Sequence, residues 1–424
     1  TCKKIWYNQA LTERFKMETK LAIYGGKKVR ETPFPNRKPF GSREEELLMQ
    51  AVRSQNLFGK SGTMVRDFEK RIANFYGASF AQSSTSGTAA IHSAIGVVNP
   101  EPGDEIITAP ITDPGSVMPI LMQNAIPVFA DVDPLTLNMR PDSIEANITD
   151  RTRAIILVHL FGRPCDIDPV VRIAQKHDLI LIEDCSQTHA TKYKEHYAGT
   201  FGHMGCFSMQ QSKHMTTGDG GFIITNDEET YIRLKLFSDK GWDYQYMGDR
   251  DHAFLAPNYR MTELQGAVGL AQLEKVRSVV ERRIELGTRL NEKISSASGI
   301  MTIPPEDNRE VSWWNYIFHI TAHNPDEFCN ALRAEGISVS PHYIKDPIFL
   351  RGEFLTKGQT YGSSGFPFNS PYVSKNYHYS PDLVPNAIKG LSTVAVVGIH
   401  EQMSKEDIDD IAIAINKVAN FLSR

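Results

Sequence analysis

Between about residue 80 and residue 225, short apolar runs rich in β-branched residues alternate with stretches of helical spacing. The apolar runs are 105–108, 127–130, 153–158, 179–183 and 221–225, and the helical stretches include 87–97, 115–124 and 167–177. The runs show no polar alternation, which is typical of strands that are buried on both faces of a sheet. Strands connected through helices form mainly parallel sheets. The pattern therefore predicts an α/β protein whose central sheet is covered by helices on both faces.

The chain of 424 residues is longer than one simple core usually supports, so two domains are expected. Glycine and proline pairs interrupt residues 1–45, which we interpret as an N-terminal arm. Thr262 and Gln265 have the spacing of a capping box, which predicts one long amphipathic helix that ends near residue 290. The domains predicted on either side of that point are a large domain at 46–290 and a smaller α+β domain at 291–424. Further helices are predicted over 43–54 and 64–76.

The composition excludes several classes of protein. A net charge of −4 gives no electrostatic reason to expect binding to nucleic acid or to an acidic membrane surface. No apolar run approaches the roughly 20 residues of a membrane span, and the polar residues 1–20 contain no secretory signal. The cysteines are scattered without a CxxC pair, at positions 2, 165, 185, 206 and 329. Reduced thiols and a cytoplasmic location are expected.

Polar residues follow several of the predicted strands at the point where each strand ends. His159 and Asp184 come directly after apolar runs, and Ser208 and Lys213 follow a further short strand predicted at 205–207. The carboxyl ends of parallel strands meet at one edge of a sheet, where open α/β sheets bind their ligands. We therefore expect these side chains to lie together in one site.

The segment Ser86-Gly87-Thr88 precedes the predicted helix over 87–97. The first N–H groups of a helix have no partner within it, and they favour a phosphate together with the positive end of the helix dipole. The two hydroxyl groups add further donors. The same pattern is also typical of an ordinary helix N-cap, so by itself it leaves both interpretations open.

Asp184 ends a buried strand, within Glu183-Asp184-Cys185-Ser186-Gln187. One interpretation is a helix N-cap or a buried acid with satisfied hydrogen bonds. The other is a carboxylate beside a pyridinium nitrogen, which it would keep protonated and therefore strongly electron-withdrawing. Gln187 could then contact the phenolic oxygen of the same ring.

Lys213 is flanked by Ser, Gln, Thr and Gly residues rather than by other charges, and Gly218-Asp219-Gly220-Gly221 follows it. A lone lysine is usually a surface residue. A lysine enclosed in a pocket has a lowered pKa and can form imines, and its free amine can move protons. Lysine, strand-end acid and phosphate-binding turn are together the parts that an enzyme using pyridoxal 5'-phosphate (PLP) requires.

At these residues the chain resembles the DegT/DnrJ/EryC1/StrS family of PLP-dependent sugar aminotransferases, over about residues 50–400. The resemblance rests on several uncommon motifs in the same order along the chain. These motifs are Val65–Glu69, Ser86–Ala90, Pro102–Ile107, Ile126–Asp133, Val158–Gly162, Glu183–His189, Phe207–Lys213, Gly218–Gly221 and Asn258–Glu263.

The resemblance implies PLP fold type I, the aspartate aminotransferase-like fold, with PLP bound by the large domain. It also implies an obligate homodimer with shared active sites. PLP would form an internal aldimine with Lys213, while Asp184 and Gln187 would contact the ring nitrogen and the phenolic oxygen. Asn258 would reach the phosphate in the site of the neighbouring subunit. The residues expected to hold the phosphate within the subunit are Ser86, Gly87, Thr88 and Ser208.

The chain departs from the family at Asp113, which we place among the cofactor-contacting residues. Many relatives carry a Phe or Trp there that stacks on the PLP ring, and an aspartate cannot stack. Another residue must then cover that face of the ring, or the substrate pocket differs. Some relatives carry His in place of the lysine and dehydrate their substrate, and Lys213 argues against that branch.

Residues 21–30 and the segment Gln210–Lys213 look most like the subgroup that acts on inososes. Those enzymes use L-glutamine to aminate a keto-cyclitol in aminocyclitol antibiotic biosynthesis. The implied function is transfer of an amino group from L-glutamine or L-glutamate to a keto-cyclitol or keto-sugar. The alternatives are a nucleotide-linked keto-sugar acceptor, a PLP-dependent sugar dehydratase, and a PLP-binding regulator without turnover.

Overall fold

The computed structural model describes residues 20–242, 252–373 and 376–423. The first 19 residues of the predicted arm, the polar start of the chain and Cys2 lie outside the described residues. The four cysteines within them are buried free thiols, in agreement with the expectation of reduced cysteines. In the part of the chain that is described, no helix is both long and apolar enough to cross a membrane.

The strands form a large central sheet, a smaller sheet near the C-terminus and one short hairpin. Their bounds are β1 Phe80–Ser84, β2 Glu105–Thr108, β3 Ile126–Phe129, β4 Thr152–Val158, β5 Ile180–Asp184, β6 Lys192–Tyr193, β7 His196–Tyr197, β8 Met204–Ser208, β9 Gly221–Thr225, β10 Ile300–Met301, β11 Tyr316–Ile320, β12 Val339–Pro341 and β13 Val394–Val397. The five predicted strands are thus present, shifted by at most one residue at either end. The short strand predicted at 205–207 is the centre of β8.

The helices flank both sheets. Their bounds are α1 Ser42–Arg53, α2 Met64–Tyr76, α3 Gly87–Val98, α4 Met118–Met122, α5 Pro141–Ala146, α6 Ile167–Lys176, α7 Glu228–Phe237, α8 Glu263–Leu273, α9 Val276–Ile294, α10 Pro325–Ala334, α11 Ile348–Arg351, α12 Glu353–Thr356, α13 Pro385–Thr393 and α14 Lys405–Leu422. The stretch predicted as one helix over 115–124 is a 3-10 turn at Pro114–Ser116 followed by α4. Pro114 and Pro119 each lack the N–H that a longer helix needs at that position.

The central sheet has seven strands in the order β1-β9-β8-β5-β4-β2-β3. In this order, the neighbours β8 and β5, β5 and β4, β4 and β2, and β2 and β3 are parallel to each other. Strand β9 is antiparallel to both of its neighbours, β8 and β1. Six strands therefore run in the same direction, and their carboxyl ends lie along one edge. The prediction of a mainly parallel sheet is confirmed, and the one reversed strand makes it a mixed sheet.

Both faces of the central sheet are buried. Successive residues of a strand point to opposite faces, and Cys206 packs with α3 and α6 while its neighbour Phe207 packs with α1, α2 and α8. The ring of Phe207 also stacks on that of Phe222 across the β8–β9 pair, with centroids 4.5 Å apart. This two-sided burial explains why the strands show no polar alternation in the sequence.

A smaller antiparallel sheet near the C-terminus has the order β10-β11-β13-β12. Its core includes residues of α10 and α14 and also the side chain of Leu21, which is fully buried. The buried carboxylate of Glu335 accepts hydrogen bonds from the N–H groups of Ala22 (2.8 Å) and Val29 (3.1 Å). The described part of the arm is therefore held on the C-terminal domain. The domain boundaries at residues 45 and 290 stay predictions.

The prediction of one long helix from Thr262 to about residue 290 is wrong. The capping box is present, with the N–H of Gln265 donating to the Thr262 hydroxyl at 3.4 Å. The helix α8 nevertheless ends at Leu273, and α9 starts at Val276. At the break, Lys275 donates to the carbonyl of Pro39 at 2.6 Å, a partner far away in sequence. Both segments keep helical spacing of their apolar residues, so spacing alone could not reveal this interruption.

Candidate active site

Lys213 lies in the loop between β8 and β9, at the edge where the parallel strands end. Its backbone N–H donates to the carbonyl of Gln210 at 2.9 Å, and the hydroxyl of Thr216 donates to the carbonyl of Met209 at 3.1 Å. Gly218 has a φ of 86°, in the left-handed region that a residue with a side chain rarely adopts. These features turn the chain back into β9 and leave the Lys213 side chain free to enter the site.

The amine of Lys213 is enclosed. Its Nζ lies 4.3 Å from the centre of the Trp314 ring, and the indole N–H of Trp314 donates to the carbonyl of Ser212 at 3.0 Å. Burial lowers the pKa of Lys213, and the nearby carboxylates of Asp184 and Asp113 partly oppose this shift. At a given pH, a larger fraction of the Lys213 amine than of an exposed lysine amine is therefore neutral and able to take up a proton.

The N-terminus of α3 faces the same space. The hydroxyl oxygen of Ser86 accepts the N–H of Ala89 at 3.0 Å and caps the helix. The N–H groups of Gly87 and Thr88 belong to the first turn, so they have no partner inside the helix. A β-carbon at position 87 would lie only 2.5 Å from the Cβ of Ser208, so glycine is required by this close approach. The free N–H groups at the start of α3 and the hydroxyl group of Ser208 therefore line the same cavity.

Asp184 is buried at the end of β5 and is held by two hydrogen bonds. Its Oδ1 accepts the N–H of Ser186 at 3.0 Å, and its Oδ2 accepts the hydroxyl of Ser116 at 2.7 Å. Since the Ser116 proton points to Asp184, the hydroxyl of Thr112 is the donor in the 2.8 Å contact between Thr112 and Ser116. This chain of hydroxyl groups fixes the direction of the carboxylate.

Gln187 is buried with its amide oriented. The side-chain oxygen accepts the N–H of Phe161 at 2.7 Å, which leaves the NH₂ group to donate. One partner of Gln187 is the hydroxyl of Tyr343, whose pKa is raised to about 12 because burial outweighs that hydrogen bond. Gln187 can therefore supply a donor, rather than an acceptor, to a ligand.

His159, Glu183 and Cys185 are buried together below the site, with potential metal-ligating atoms within 4.8 Å of one another. The His159 Nδ1 accepts the N–H of Cys165 at 3.1 Å, so its Nε2 carries the proton that is donated to Glu183 at 3.0 Å. The two oxygens of Glu183 also accept three backbone N–H groups from residues 199–202 at 2.8 Å. Because both ring nitrogens are occupied, we interpret this cluster as a structural support of the strand ends.

A cavity of about 370 Å³ joins these groups. Eight of the nine predicted site residues line it, namely Ser86, Gly87, Thr88, Asp113, Asp184, Gln187, Ser208 and Lys213. Asn258, the ninth, is exposed and is not part of this lining. Asp113 lies at the mouth, where its Oδ1 accepts the N–H of Gly115 at 2.8 Å and caps the 3-10 turn. Its role toward a cofactor stays a prediction.

Sequence reasoning missed the residues that support the site from a distance. Arg37 of the arm donates to the carbonyls of Gln211 (3.2 Å), Lys213 (2.8 Å) and His214 (3.0 Å) in the lysine loop. Its Nε also pairs with Glu401 at 2.8 Å. Ser116 was missed as well. Arg37 lies far from the site residues in sequence, and although Ser116 follows Asp113 by three positions, no local pattern marks either residue.

The donor set fits PLP. The phosphate requires several N–H and O–H donors, and the α3 N-terminus and the Ser208 hydroxyl could supply them around the close approach at Gly87. The pyridine nitrogen requires a buried anion, for which Asp184 is suitable, and the phenolic oxygen requires a donor, for which the Gln187 amide is suitable. The aldehyde requires an amine within the same cavity, and Lys213 is the lysine of its described lining.

Comparison with known proteins agrees with this assignment. The profile of the DegT/DnrJ/EryC1/StrS aminotransferase family matches residues 40–364. A protein of Micromonospora echinospora, named as a candidate L-glutamine:3-amino-2,3-dideoxy-scyllo-inosose aminotransferase, is 32% identical over 96% of this chain and 98% of its own length. The GDP-perosamine synthase of Escherichia coli O157:H7 is 34% identical over 70% of this chain and 81% of its own length.

A solved aminotransferase structure from Psychrobacter cryohalolentis is similar with a TM-score of 0.79 and 26% identity. The similarity covers 93% of this chain and all of the other. The predicted aspartate aminotransferase-like fold is therefore confirmed. With a family match over most of its length, and with a cavity whose donors fit the cofactor, this chain belongs to the DegT/DnrJ/EryC1/StrS aminotransferase family and is a PLP-dependent aminotransferase.

Proposed function

We propose that this aminotransferase moves an amino group from L-glutamine or L-glutamate to a keto group on a cyclitol or sugar ring. The observation that carries the proposal is the chemistry of the main cavity. Apart from Lys213, its described lining contains no lysine or arginine, and its polar groups are mainly hydroxyls, amides and carboxylates, with the imidazole of His159 besides them. Such a lining suits a polyhydroxylated acceptor without a carboxylate.

PLP, when bound, supplies an aldehyde that links covalently to amines and a ring that accepts electrons from the substrate carbon. Lys213 is proposed to be the residue that carries the cofactor and that moves the proton at the substrate carbon bearing nitrogen. Its enclosed position supports both roles, because burial lowers the pKa of its amine. Trp314, which packs over the Lys213 amine, shields it from water.

Asp184 is proposed to hold a proton on the pyridine nitrogen, and Gln187 to donate to the phenolic oxygen. Support comes from their fixed orientations, since Ser116 and Ser186 direct the carboxylate and Phe161 directs the amide. The first turn of α3 and the Ser208 hydroxyl are proposed to hold the phosphate. Asp113, at the mouth, would then face the substrate side of the site.

The active unit is proposed to be a homodimer in which Asn258 reaches the phosphate in the neighbouring site. The exposure of Asn258, outside the cavity of its own subunit, is compatible with this role. Sedimentation analysis should then give a dimer. A mixed dimer of one Asn258→Ala subunit and one Lys213→Ala subunit would have one site with both residues and one site with neither. Mixing the two variants should therefore restore part of the full activity, in proportion to the number of sites that keep both residues. Full activity of Asn258→Ala alone would contradict the shared site.

The acceptor is proposed to be a free keto-cyclitol or keto-hexose. The inosose-related relative, which aligns with nearly all of this chain, supports a cyclitol. The GDP-perosamine synthase relative supports the alternative of a nucleotide-linked keto-sugar. An acceptor screen that contains free inososes, free keto-hexoses and nucleotide-linked keto-sugars distinguishes these classes by their kcat/KM values.

The first experiment is the absorption spectrum of the purified protein with PLP, before and after the addition of L-glutamine. The yellow band of lysine-bound PLP should appear and then bleach as the cofactor is aminated. Lys213→Ala should bind PLP without that band and should lose turnover. A protein that stays colourless, or a band that is indifferent to every amino donor, would contradict the proposal.

Product analysis tests the rival reactions. Transamination consumes one amino donor for each aminated product, whereas dehydration consumes none. A PLP-binding regulator would give no product with any acceptor, and a mobility-shift assay with DNA would test it directly.

A further inference from the structure

A second cavity of about 320 Å³ opens from the side of the first. The two share the side chains of Thr112, Asp113, Gln187, Lys213 and Trp314, so they are neighbouring compartments of one site. The remaining wall of the second cavity comes from the C-terminal part of the chain. That wall consists of Tyr343, Ile344, Ile348, Arg351, Gly352 and Phe354, together with Pro114.

Arg351 is the cation of this second compartment besides Lys213. Among the hydrogen bonds and ion pairs of the described residues, none involves its guanidinium group. Most other arginines of the described chain are paired, as Arg283 is with Glu401 at 3.0 Å. Arg351 nevertheless lies near Tyr343, where its positive charge favours the deprotonated form of the Tyr343 hydroxyl and opposes the rise of its pKa. The site thus contains a guanidinium group that is available to an incoming anion.

The charges around Lys213 determine where an anion can bind. Asp184 and Asp219 line the main cavity but not the second one, whose described lining has Asp113 as its one acid, so a carboxylate meets less repulsion in the second compartment. Lys213 must react with the cofactor, so it cannot serve as a permanent partner of a substrate carboxylate. Arginine, whose planar guanidinium group presents two parallel donors, matches a carboxylate better than any other side chain. Ile348 and Phe354 line the same compartment and give it apolar walls, while Arg351 itself is exposed and can be reached from solvent.

We propose that Arg351 binds the α-carboxylate of the amino donor, in the compartment between Trp314 and Tyr343. This inference rests on the proposed function, in which an amino acid supplies the amino group. The donor would place its carboxylate on Arg351 and its amino group toward Lys213. A free keto-cyclitol has no carboxylate and would not use this arginine. Arg351 therefore separates the two substrates that must share the site.

The test removes either the guanidinium group or the carboxylate. The donor half-reaction is followed by the bleaching of the cofactor band, with L-glutamine and with L-glutaminol, the amino alcohol that lacks the carboxylate. In the wild-type protein, kcat/KM should be larger for L-glutamine. Arg351→Gln should lower kcat/KM for L-glutamine by about 10- to 100-fold, the range for one charge-assisted pair of hydrogen bonds. The same variant should change the value for L-glutaminol by less than about threefold, since no charged partner is lost there.

Two further variants control for structural damage. Arg351→Lys should restore part of the lost L-glutamine activity, because it keeps a positive charge without the paired donors. Lys357→Gln removes a nearby cation that is 65% exposed and paired with Glu353, and it should leave both donors unaffected. Equal thermal unfolding of these variants and the wild-type protein would show that they fold alike.

Three results would overturn the inference. The first is an equal loss for L-glutamine and L-glutaminol in Arg351→Gln. The second is a loss confined to the half-reaction of a nucleotide-linked acceptor, which would assign Arg351 to a phosphate. The third is unchanged binding of glutarate to Arg351→Gln, measured by quenching of tryptophan fluorescence in the PLP-bound protein without turnover. Glutarate binding also separates this inference from the proposed function, because it is measurable even if no amino donor reacts.

Discussion

Asp184 illustrates how the direction of a buried carboxylate depends on the hydroxyl groups around it. Its carboxylate is buried, and one of its two oxygens relies on the hydroxyl of Ser116. Ser116 in turn receives a hydrogen bond from Thr112. A buried charge that loses a donor is costly, because water cannot replace the missing hydrogen bond.

Ser116→Ala should therefore destabilise the cofactor-free protein by about 1–3 kcal/mol, the range for a hydrogen bond to a charged group. It should also shift the absorption band of bound PLP, since the carboxylate is then free to turn. Urea unfolding and the visible spectrum measure the two effects. Ser93→Ala is the control, because it deletes a buried hydroxyl whose partners, the carbonyl of Ala89 and the hydroxyl of Ser238, are both neutral. Equal spectra for the two variants would contradict the role of Ser116.

Buried neutral histidines make stability depend on acid pH. Burial lowers the pKa of His92 and that of His189 to about 4, below the value of about 6.5 in an unfolded chain. Between these two pH values the unfolded state binds more protons than the folded state. The free energy of unfolding should thus fall as the pH drops from 6.5 toward 4, by up to about 3 kcal/mol for each group. Above pH 6.5 both contributions are fully present.

Urea unfolding of the cofactor-free protein at pH 7, 6 and 5 measures this slope. His92→Gln should show a shallower decline than the wild-type protein, because one of the histidines with a lowered pKa is removed. The ring of His92 contacts the hydroxyl of Tyr259 at 2.8 Å, and glutamine can keep a polar contact there. An identical slope in the variant would exclude His92 as a source of the pH dependence.

At the scale of elements, helix ends are fixed by side chains from other helices. Glu263 is the first residue of α8, yet its buried carboxylate accepts the N–H groups of Met64 (2.7 Å) and Val65 (2.9 Å) at the start of α2. A carboxylate at a helix N-terminus satisfies free donors and opposes the positive end of the helix dipole. One residue thus ties together two elements that are about 200 positions apart in the chain.

Glu263→Ala should lower the free energy of unfolding by about 1–3 kcal/mol, because two N–H groups lose their partner in a buried place. Glu263→Gln should lose less, since an amide oxygen can still accept one of them. Glu281→Ala is the matched control, as Glu281 is 59% exposed and pairs only with Arg277 on the same helix. Equal free energies of unfolding for Glu263→Ala and Glu281→Ala, measured by urea unfolding, would contradict this view.

At the scale of the whole molecule, the N-terminal arm connects the C-terminal domain with the lysine loop. Arg30 binds Asp407 and Asp410 of α14 at 2.7 and 2.8 Å. Arg37 binds Glu401 and three carbonyls of the loop that carries Lys213. The position of Lys213 therefore depends on contacts that join both ends of the described chain.

Arg37→Ala should slow the donor half-reaction by roughly 10- to 100-fold, since a small displacement of a reacting group has effects of this size. It should also shift the pH at which the absorption of bound PLP changes, because the surroundings of the lysine change. Arg30→Ala is the control, as it loosens the arm without a direct contact to the loop. If both variants had equal effects, Arg37 would act only by holding the arm in place.

The sequence by itself determined the local parts of this protein. Strands buried on both faces leave continuous apolar runs, so five of the seven strands of the central sheet could be predicted from them, whereas β1, with its polar residues, was not predicted. Chemistry that needs adjacent residues was also visible, as in Ser86-Gly87-Thr88 and in the residues that follow Asp184. These inferences succeed because the free N–H groups of a helix start and the end of a strand are properties of neighbouring residues.

Only the tertiary structure decided the contacts between distant segments. The break between α8 and α9, the capping of α2 by Glu263 and the clamp of Arg37 on the lysine loop all join residues far apart in sequence. The same holds for Arg351, whose neighbours in the chain do not mark it as part of a site. These contacts form because complete helices and strands pack against one another, and a single sequence does not indicate which of these elements are in contact.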